Sequence, residues 1–408
     1  GLPILDKERR LRCRTCRRCG KCFSEFPPSD EVFGCADAVP ALVKRRGIGA
    51  AVDLGTTTID VGVYNLETGE VIHRSSFVNP QRRISSDVMG RISAAADGRL
   101  DELRDLVRDA LRDRFRGYGV SVAVVVGNTT MLHLFAGISP CDYAAAPFVA
   151  KNLFGESMEI DGVKVRLPRC VHGFFGADAV ASVRMSGMCG RGGGCELTAD
   201  IGTNGEIALW KPAERELTVA SVAAGPAFER PGITGSRIVS SLADALESGA
   251  VDRTGLVLGE LPDGLVQDDV RMVQLAKAAL KGGIATLLSK AGIGPGDITR
   301  FSIAGGFGTA LDLKKAERIG LFPEGLSGVA RVCGNLAAEG AAAALFDPSF
   351  SREIDGCCGA LCRTCGRRGI LRRVHEVHKF LTGVFLSAAF RTDSPCRAPS
   401  GDSFRRLR

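Results

Sequence analysis

Residues 48–53 are a run of small and branched apolar side chains closed by an acid, which predicts a buried strand. The chain turns at Gly55 and resumes as a strand over 59–64. Residues 65–69 have the composition of a hairpin turn, and a third strand starts at 71–73. Leu100, Leu103, Val107, Leu111 and Phe115 recur at helical spacing with charges between them, the pattern of an amphipathic helix. The branched run 122–126 reads as a strand buried on both faces. A Gly-rich stretch at 190–194 reads as a linker. The opening pattern then returns as strand 197–201, turn 202–205 and strand 206–210. A helix over 268–290, a short strand over 301–304, another helix and an Ala-rich helix over Leu336–Phe346 follow. Because the strand–acid–Gly-turn–strand unit occurs at both 53 and 200, two similar α/β halves are expected.

Composition narrows the class. At 408 residues the chain has room for two or three domains and a full core. With 45% hydrophobic and 24% charged residues it is neither collagen, coiled coil nor wholly disordered. The net charge of +7 is unevenly spread. Residues 1–46 carry 11 basic and 6 acidic side chains and residues 347–408 carry 12 and 6, which leaves the middle at −4. An acidic middle argues against a nucleic-acid groove, and the run from Lys7 to Arg18 reads as a solvated basic face. The longest apolar stretch, from Phe380 to Phe390, is shorter than the ~20 residues a bilayer requires, so no membrane partner is expected. The Arg-rich front lacks the apolar core of an export signal, which predicts a cytoplasmic, reducing setting. The sequence begins at Gly1 rather than Met, and residues upstream are expected.

In that setting the 15 cysteines, clustered at both ends, suggest metal or redox cofactors rather than disulfides. Cys13, Cys16 and Cys19 have the spacing of the first three ligands of a bacterial-type [4Fe–4S] site. The fourth ligand is Cys22, one residue too close, or the distant Cys35. Zinc is the alternative, although its ribbon sites need a loop of ~12 or more residues between Cys pairs. At the rear, Cys357, Cys362, Cys365 and Cys396 have plant-type [2Fe–2S] spacing. The residues such a fold needs upstream belong to the Ala-rich helix, so the tail reads as irregular and basic. Cys141, Cys170 and Cys333 read as small core residues and His133 as a packed core histidine. His172, at a strand end, is a cleft candidate.

Two hairpins carry the chemistry. The first turn holds Asp53, Gly55, Thr56, Thr57 and Thr58; the second holds Asp200, Gly202, Thr203, Asn204 and Gly205. In each, a carboxylate closes a strand, a Gly lets the backbone approach a ligand, and N–H groups can cradle phosphate oxygens. The carboxylate can hold Mg2+ through water or orient an attacking water. One such turn is as easily a capped β-turn, whereas a copy in each half points to phosphates. Gly305, Gly306 and Gly308 follow a strand and precede a helix, where a flat base or ribose can lie on the backbone.

These residues resemble the actin, sugar kinase and heat-shock chaperone ATPase superfamily, and more closely the ATPase part of the reductive activators of corrinoid proteins. The segments that carry the resemblance are AVDLGTTTIDVGVYNLETGEVI (51–72), SFVNPQRR (76–83), VVVGNTTMLHLFAGISP (124–140), HGFFGADAVAS (172–182), LTADIGTNGEIAL (197–209), ASVAAGPAFE (220–229) and IAGGFGTALDLKKAERIGLFPE (303–324). The resemblance implies an α/β chain of two ribonuclease-H-like subdomains around an ATP cleft. They would span 47–190 and 195–346, after a Cys-rich segment at 1–46 and before a tail at 347–408. It also implies that ATP hydrolysis drives an electron from an iron–sulfur cluster onto the cobalt of a corrinoid methyl carrier, Co(II) to Co(I). Asp53 and Asp200 would be catalytic, the two turns would hold the phosphates of ATP with Mg2+, and Gly305, Gly306 and Gly308 the adenosine. Gly127, Asn128 and Thr129 would line the cleft, and Cys13, Cys16, Cys19 and Cys22 would hold the cluster. The partners implied are a corrinoid protein and an external low-potential electron donor; a homodimer is a further expectation. Three alternatives stay open: an activator of the 2-hydroxyacyl-CoA dehydratase type, a small-molecule kinase, and a nucleotide-regulated zinc-binding module.

Overall fold

The computed structural model describes residues 45–352, apart from 145–147, 189–192, 215, 226, 229–232, 306–309 and 349. The N-terminal cysteines and the tail cysteines therefore lie outside the described residues, as do Gly306 and Gly308 and most of the Gly-rich linker.

The opening apolar runs form an antiparallel meander of β1 (Ile48–Leu54), β2 (Thr58–Asn65) and β3 (Val71–Val78). The turn between β2 and β3 is closed by the Asn65 side chain, which accepts from the backbone N–H groups of Glu67 and Thr68. Two helices, α1 (Val88–Ala94) and α2 (Leu100–Tyr118), lead to β4 (Val120–Gly127), which pairs parallel to β1. The predicted stripe of α2 is the buried one: Leu103, Val107, Leu111 and Phe115 face the core. Helix α3 (Thr129–Ala136) and the hairpin of β5 (Glu156–Ile160) and β6 (Val163–Leu167) complete a sheet of order β3-β2-β1-β4-β6-β5. Helix α4 (Ala177–Met185) follows.

The second sheet repeats this plan. Strands β7 (Cys195–Ile201), β8 (Asn204–Lys211) and β9 (Glu216–Ala223) form the meander. After α5 (Gly235–Ser248) and α6 (Gln267–Ala291), β10 (Ile298–Gly305) pairs parallel to β7. Helix α7 (Leu313–Arg318), strand β11 (Ala330–Gly334) and helix α8 (Leu336–Phe346) end the described fold, and the order is β11-β10-β7-β8-β9. The expected recurrence of two α/β halves is thus a repeat of sheet topology, and each D-x-G-T turn joins the first two strands of its sheet.

Sequence pattern understated the regular structure. The strand expected at 301–304 runs over eight residues, and α4, α5, the β5–β6 hairpin, β9 and β11 gave no signal that was read. Chain order also places α8 with the second half, yet α8 packs in the core of the first sheet, against β1, β4 and α4. Its sequence, nearly all Ala and Leu, suits a helix covered on every side. It crosses α4 closely: a Cβ on Gly340 would stand 2.7 Å from the Cβ of Ala181. No helix among the described residues is long and apolar enough to cross a membrane.

Candidate active site

Both D-x-G-T turns open onto one cleft of about 400 Å³ between the sheets. Gly55, Thr56, Thr57 and Thr58 line one wall and Gly202, Thr203 and Asn204 the other. The two turns touch. Thr57 Oγ1 lies 2.7 Å from Thr203 Oγ1, and Asn204 Nδ2 lies 3.5 Å from Thr56 Oγ1. Gly is required at 55, where a Cβ would stand 2.5 Å from the carbonyl oxygen of Thr58. The first turn is held from behind. Asn79 donates to the Gly55 carbonyl at 2.8 Å, and the buried Arg91 donates to the Thr56 carbonyl at 2.6 Å.

Five carboxylates line the cleft: Asp53, Asp60, Asp178, Asp200 and Glu206. Sequence reading found Asp53 and Asp200 only. Asp60 stands opposite Asp53 in the β1–β2 register, and Glu206 stands opposite Asp200 in the β7–β8 register. Opposed residues of a strand pair project to the same face, so each half presents a pair of acids. The spacing D-x-G-T-x-x-x-D and D-x-G-T-x-x-E held that signal once the hairpin register was fixed. Asp178 comes from the first turn of α4.

Asn335, which the sequence reading missed, ties the first pair together. Its amide nitrogen donates to Asp53 at 2.9 Å and to Asp60 at 2.8 Å, while its oxygen caps α8 by accepting from Ala338 N at 2.9 Å. In the second half, Ser182 of α4 donates to Asp200 at 2.5 Å. Burial pushes the Asp53 carboxyl well above the usual carboxylate range; the charges of Asp60 and Asp178 add to this and the Asn335 bond opposes it. Burial also raises Asp200, against the Ser182 bond. Glu206 is raised well above its ordinary value by burial and then by Asp178, Asp200 and Asp53. Asp178 is pushed up to about 7, chiefly by burial.

These shifts make a prediction. Each raised carboxyl binds its proton more tightly folded than unfolded, so protonation favours the fold. That contribution is complete below the ordinary pKa of ~4 and is lost as pH rises through the raised values, about 7 for Asp178. In EDTA the protein is expected to melt about 5 °C higher at pH 6 than at pH 8, and Mg2+ with ADP to remove most of that difference. A melting temperature that is flat or rises over this range in EDTA would show that the cluster is not a set of uncompensated acids.

The other expected residues divide. Asn128 lines the cleft, donates to Thr56 Oγ1 at 3.0 Å and caps α3 through Met131 N. Thr129 is buried and donates to the His172 carbonyl at 2.6 Å, so it positions the loop rather than facing a ligand. Gly127 ends β4 behind Leu54, and Gly205 sits within β8 against Leu280 of α6. Gly305 lines the cleft at φ +101°, and a Cβ there would stand 2.3 Å from the Ile201 carbonyl oxygen. His172 is not part of the cleft wall; its ring accepts from Phe174 N. His133 is the core histidine expected, packed against Tyr143 and Phe154 with Nδ1 on the Thr129 carbonyl. Cys170 and Cys333 are buried, whereas Cys141 is only partly so and is not a core residue.

A divalent cation arriving with phosphates fits this donor set. Among the described residues no three side chains cage a metal by themselves. Mg2+ is instead bound by one or two carboxylates together with phosphate oxygens, and acids facing Gly-rich turns supply that combination.

The profile of the RACo middle region matches residues 48–191, and that of the C-terminal domain of RACo, the ASKHA domain, matches residues 230–362. The corrinoid activation enzyme RamQ of Eubacterium limosum is 28% identical over 80% of this chain and 68% of its own length. The Co(II) methylated amine-specific corrinoid protein reductase of Methanosarcina barkeri is 23% identical over 67% of this chain and 66% of its own. Among solved structures, a reductive activator for corrinoid, iron-sulfur protein superposes with a TM-score of 0.69 and 26% identity. That match covers 77% of this chain and 62% of the solved one. The chain thus spans about two thirds of the length of these relatives.

Proposed function

The chain belongs to the reductive activators of corrinoid proteins, whose middle region and C-terminal ASKHA domain it carries, and on that premise we propose that it hydrolyses ATP to drive reduction of a corrinoid protein from Co(II) to Co(I). The observation that carries this reading is the meeting of two phosphate turns across one acid-lined cleft, within a chain of this family.

Thr56, Thr57 and Thr58 together with Gly202, Thr203 and Asn204 line the space for a triphosphate. Asp53 and Asp200 hold its cation, and Gly305, with Gly306 and Gly308, takes the adenosine. Mg2+ supplies charge neutralisation of the phosphates when bound. Asp178 accepts the proton of the attacking water; its raised pKa lets it act as a base near neutrality. Asn335 holds Asp53 and Asp60 in place through the proton transfer.

The electron enters from an external low-potential donor through an iron–sulfur cluster of Cys13, Cys16, Cys19 and Cys22, in the cytoplasm. Clustered thiolates at the front of the sequence support this. The test is anaerobic. The full chain, a low-potential reductant and a Co(II) corrinoid protein are mixed with and without ATP, and Co(I) is followed by its absorption. Expected is Co(I) formation that needs ATP and stops with a non-hydrolysable analogue. Equal Co(I) with and without ATP, or ATP turnover that needs a small hydroxyl substrate, would overturn the reading.

A further inference from the structure

A second cavity, of about 550 Å³, lies behind the nucleotide cleft, between strands β2 and β3 and the start of α8. Asp60 and Ser76 line both cavities, so the two share a wall. The chemistry changes across it. The front is a cluster of acids; the rear holds a guanidinium, Arg74.

Arg74 is placed there by the sheet. It pairs with Gly62 as Ser76 pairs with Asp60, two residues along the same face. Gly62 has no side chain, so the ring of Tyr64 fills that position, and the Arg74 guanidinium lies 5.8 Å from the ring centroid. The Arg74 Nε is buried and has no hydrogen-bond acceptor among the described residues. The acids beside the groove are Asp60, held by Asn335, and Glu339, whose charge opposes that of Arg74 on the Tyr64 hydroxyl. Buried donors without acceptors are costly, and a guanidinium over an aromatic ring presents its remaining N–H groups to a planar or tetrahedral oxyanion.

We propose that the rear groove is an oxyanion site that receives inorganic phosphate released in the nucleotide cleft, with Arg74 as its anchor. This rests on the ATP-hydrolysis reading above for its source of phosphate. While the diphosphate still occupies the front of the cleft, phosphate has a wall in common with a cationic groove. Arg74 draws it past the Asp60 carboxylate.

Inorganic phosphate is the probe. Its binding to the full chain with Mg·ADP present is measured by calorimetry for wild type, R74Q and R74K. Wild type is expected to bind phosphate, R74Q at least ten-fold more weakly, and R74K in between. Rapid quench and a fluorescent phosphate sensor then separate cleavage from release. R74Q is expected to cleave ATP within two-fold of wild type but to release phosphate several-fold more slowly. Phosphate protection of Arg74 from phenylglyoxal, mapped by mass spectrometry in the wild-type chain, covers the case in which R74Q does not fold. Unchanged phosphate binding in R74Q, or no protection of Arg74, overturns the proposal. So does R74Q binding phosphate normally while losing affinity for the corrinoid protein, since the groove would then take an acidic side chain of that partner. If no variant cleaves ATP, the hydrolysis reading fails on its own, and the phosphate-binding comparison still decides the site.

Discussion

Asp178→Asn is expected to bind ATP within about three-fold of wild type and to hydrolyse it at least 100-fold more slowly, the usual size of a general-base contribution. Asn is isosteric and keeps the acceptor oxygen that takes the Ala179 N–H at 2.7 Å, so the α4 start and the cleft wall should persist. What it removes is the ability to hold a proton. Burial pushes the Asp178 carboxyl up to about 7, so wild-type turnover should rise with pH through that value as it ionises. The variant should lose that limb of the profile along with its rate. Formation of Co(I) should fall by the same factor as hydrolysis, because the electron step draws on the same cycle. Residual ATPase within five-fold of wild type would move the role to Glu206, a second cleft acid raised well above its ordinary value.

Much of this site was legible in the sequence, and what was not has identifiable causes. The two D-x-G-T turns were visible because they are local: an acid, a Gly and hydroxyls within six residues. Asp60 and Glu206 were not, since their roles come from cross-strand register, which the turns fix only once the strands are paired. Asp178 lies within the segment 172–182 that resembles the family, yet its place in the cleft depends on how α4 is packed. Asn335 was not legible either: it caps α8, and its bonds to Asp53 and Asp60 depend on α8 packing on the first core.

That packing gives the halves a reciprocal dependence. Ser182, on the helix that leaves the first sheet, bonds to Asp200 of the second. Asn335, at the end of a strand of the second sheet, bonds to Asp53 and Asp60 of the first. Asp53, Asp60 and Asp200 are thus each oriented by a side chain from the other half, and α4 and α8 meet at Ala181 and Gly340. A change in cleft geometry must break or reshape both sets of bonds together. Coupling of nucleotide state to a bound partner needs such a two-sided element, biased by both ligands.

Arg91→Met is expected to cost about 3–5 kcal/mol of stability. Arg91 is 0% exposed, on the short helix α1. It donates to the Thr56 carbonyl at 2.6 Å, the Ser85 carbonyl at 3.0 Å and Gln81 Oε1 at 3.0 Å, and lies against the Met131 sulfur at 2.9 Å. Burial lowers its pKa to about 10, with Asp87 opposing, so it stays charged at neutral pH. Met fills much of the same volume, so the loss is not a cavity effect. It comes from three acceptors left without a donor in a dry site, each worth about 1–3 kcal/mol. A fall in melting temperature on the order of 10 °C should follow. Because Thr56 belongs to the first phosphate turn, nucleotide affinity should drop as well, and saturating ADP with Mg2+ should recover only part of the melting temperature. Arg91→Lys should rescue little, since an ammonium cannot span acceptors that a planar guanidinium reaches in three directions. A variant melting within 2 °C of wild type, with unchanged ATP affinity, would show that the turn is held by its own backbone and by Asn79 alone.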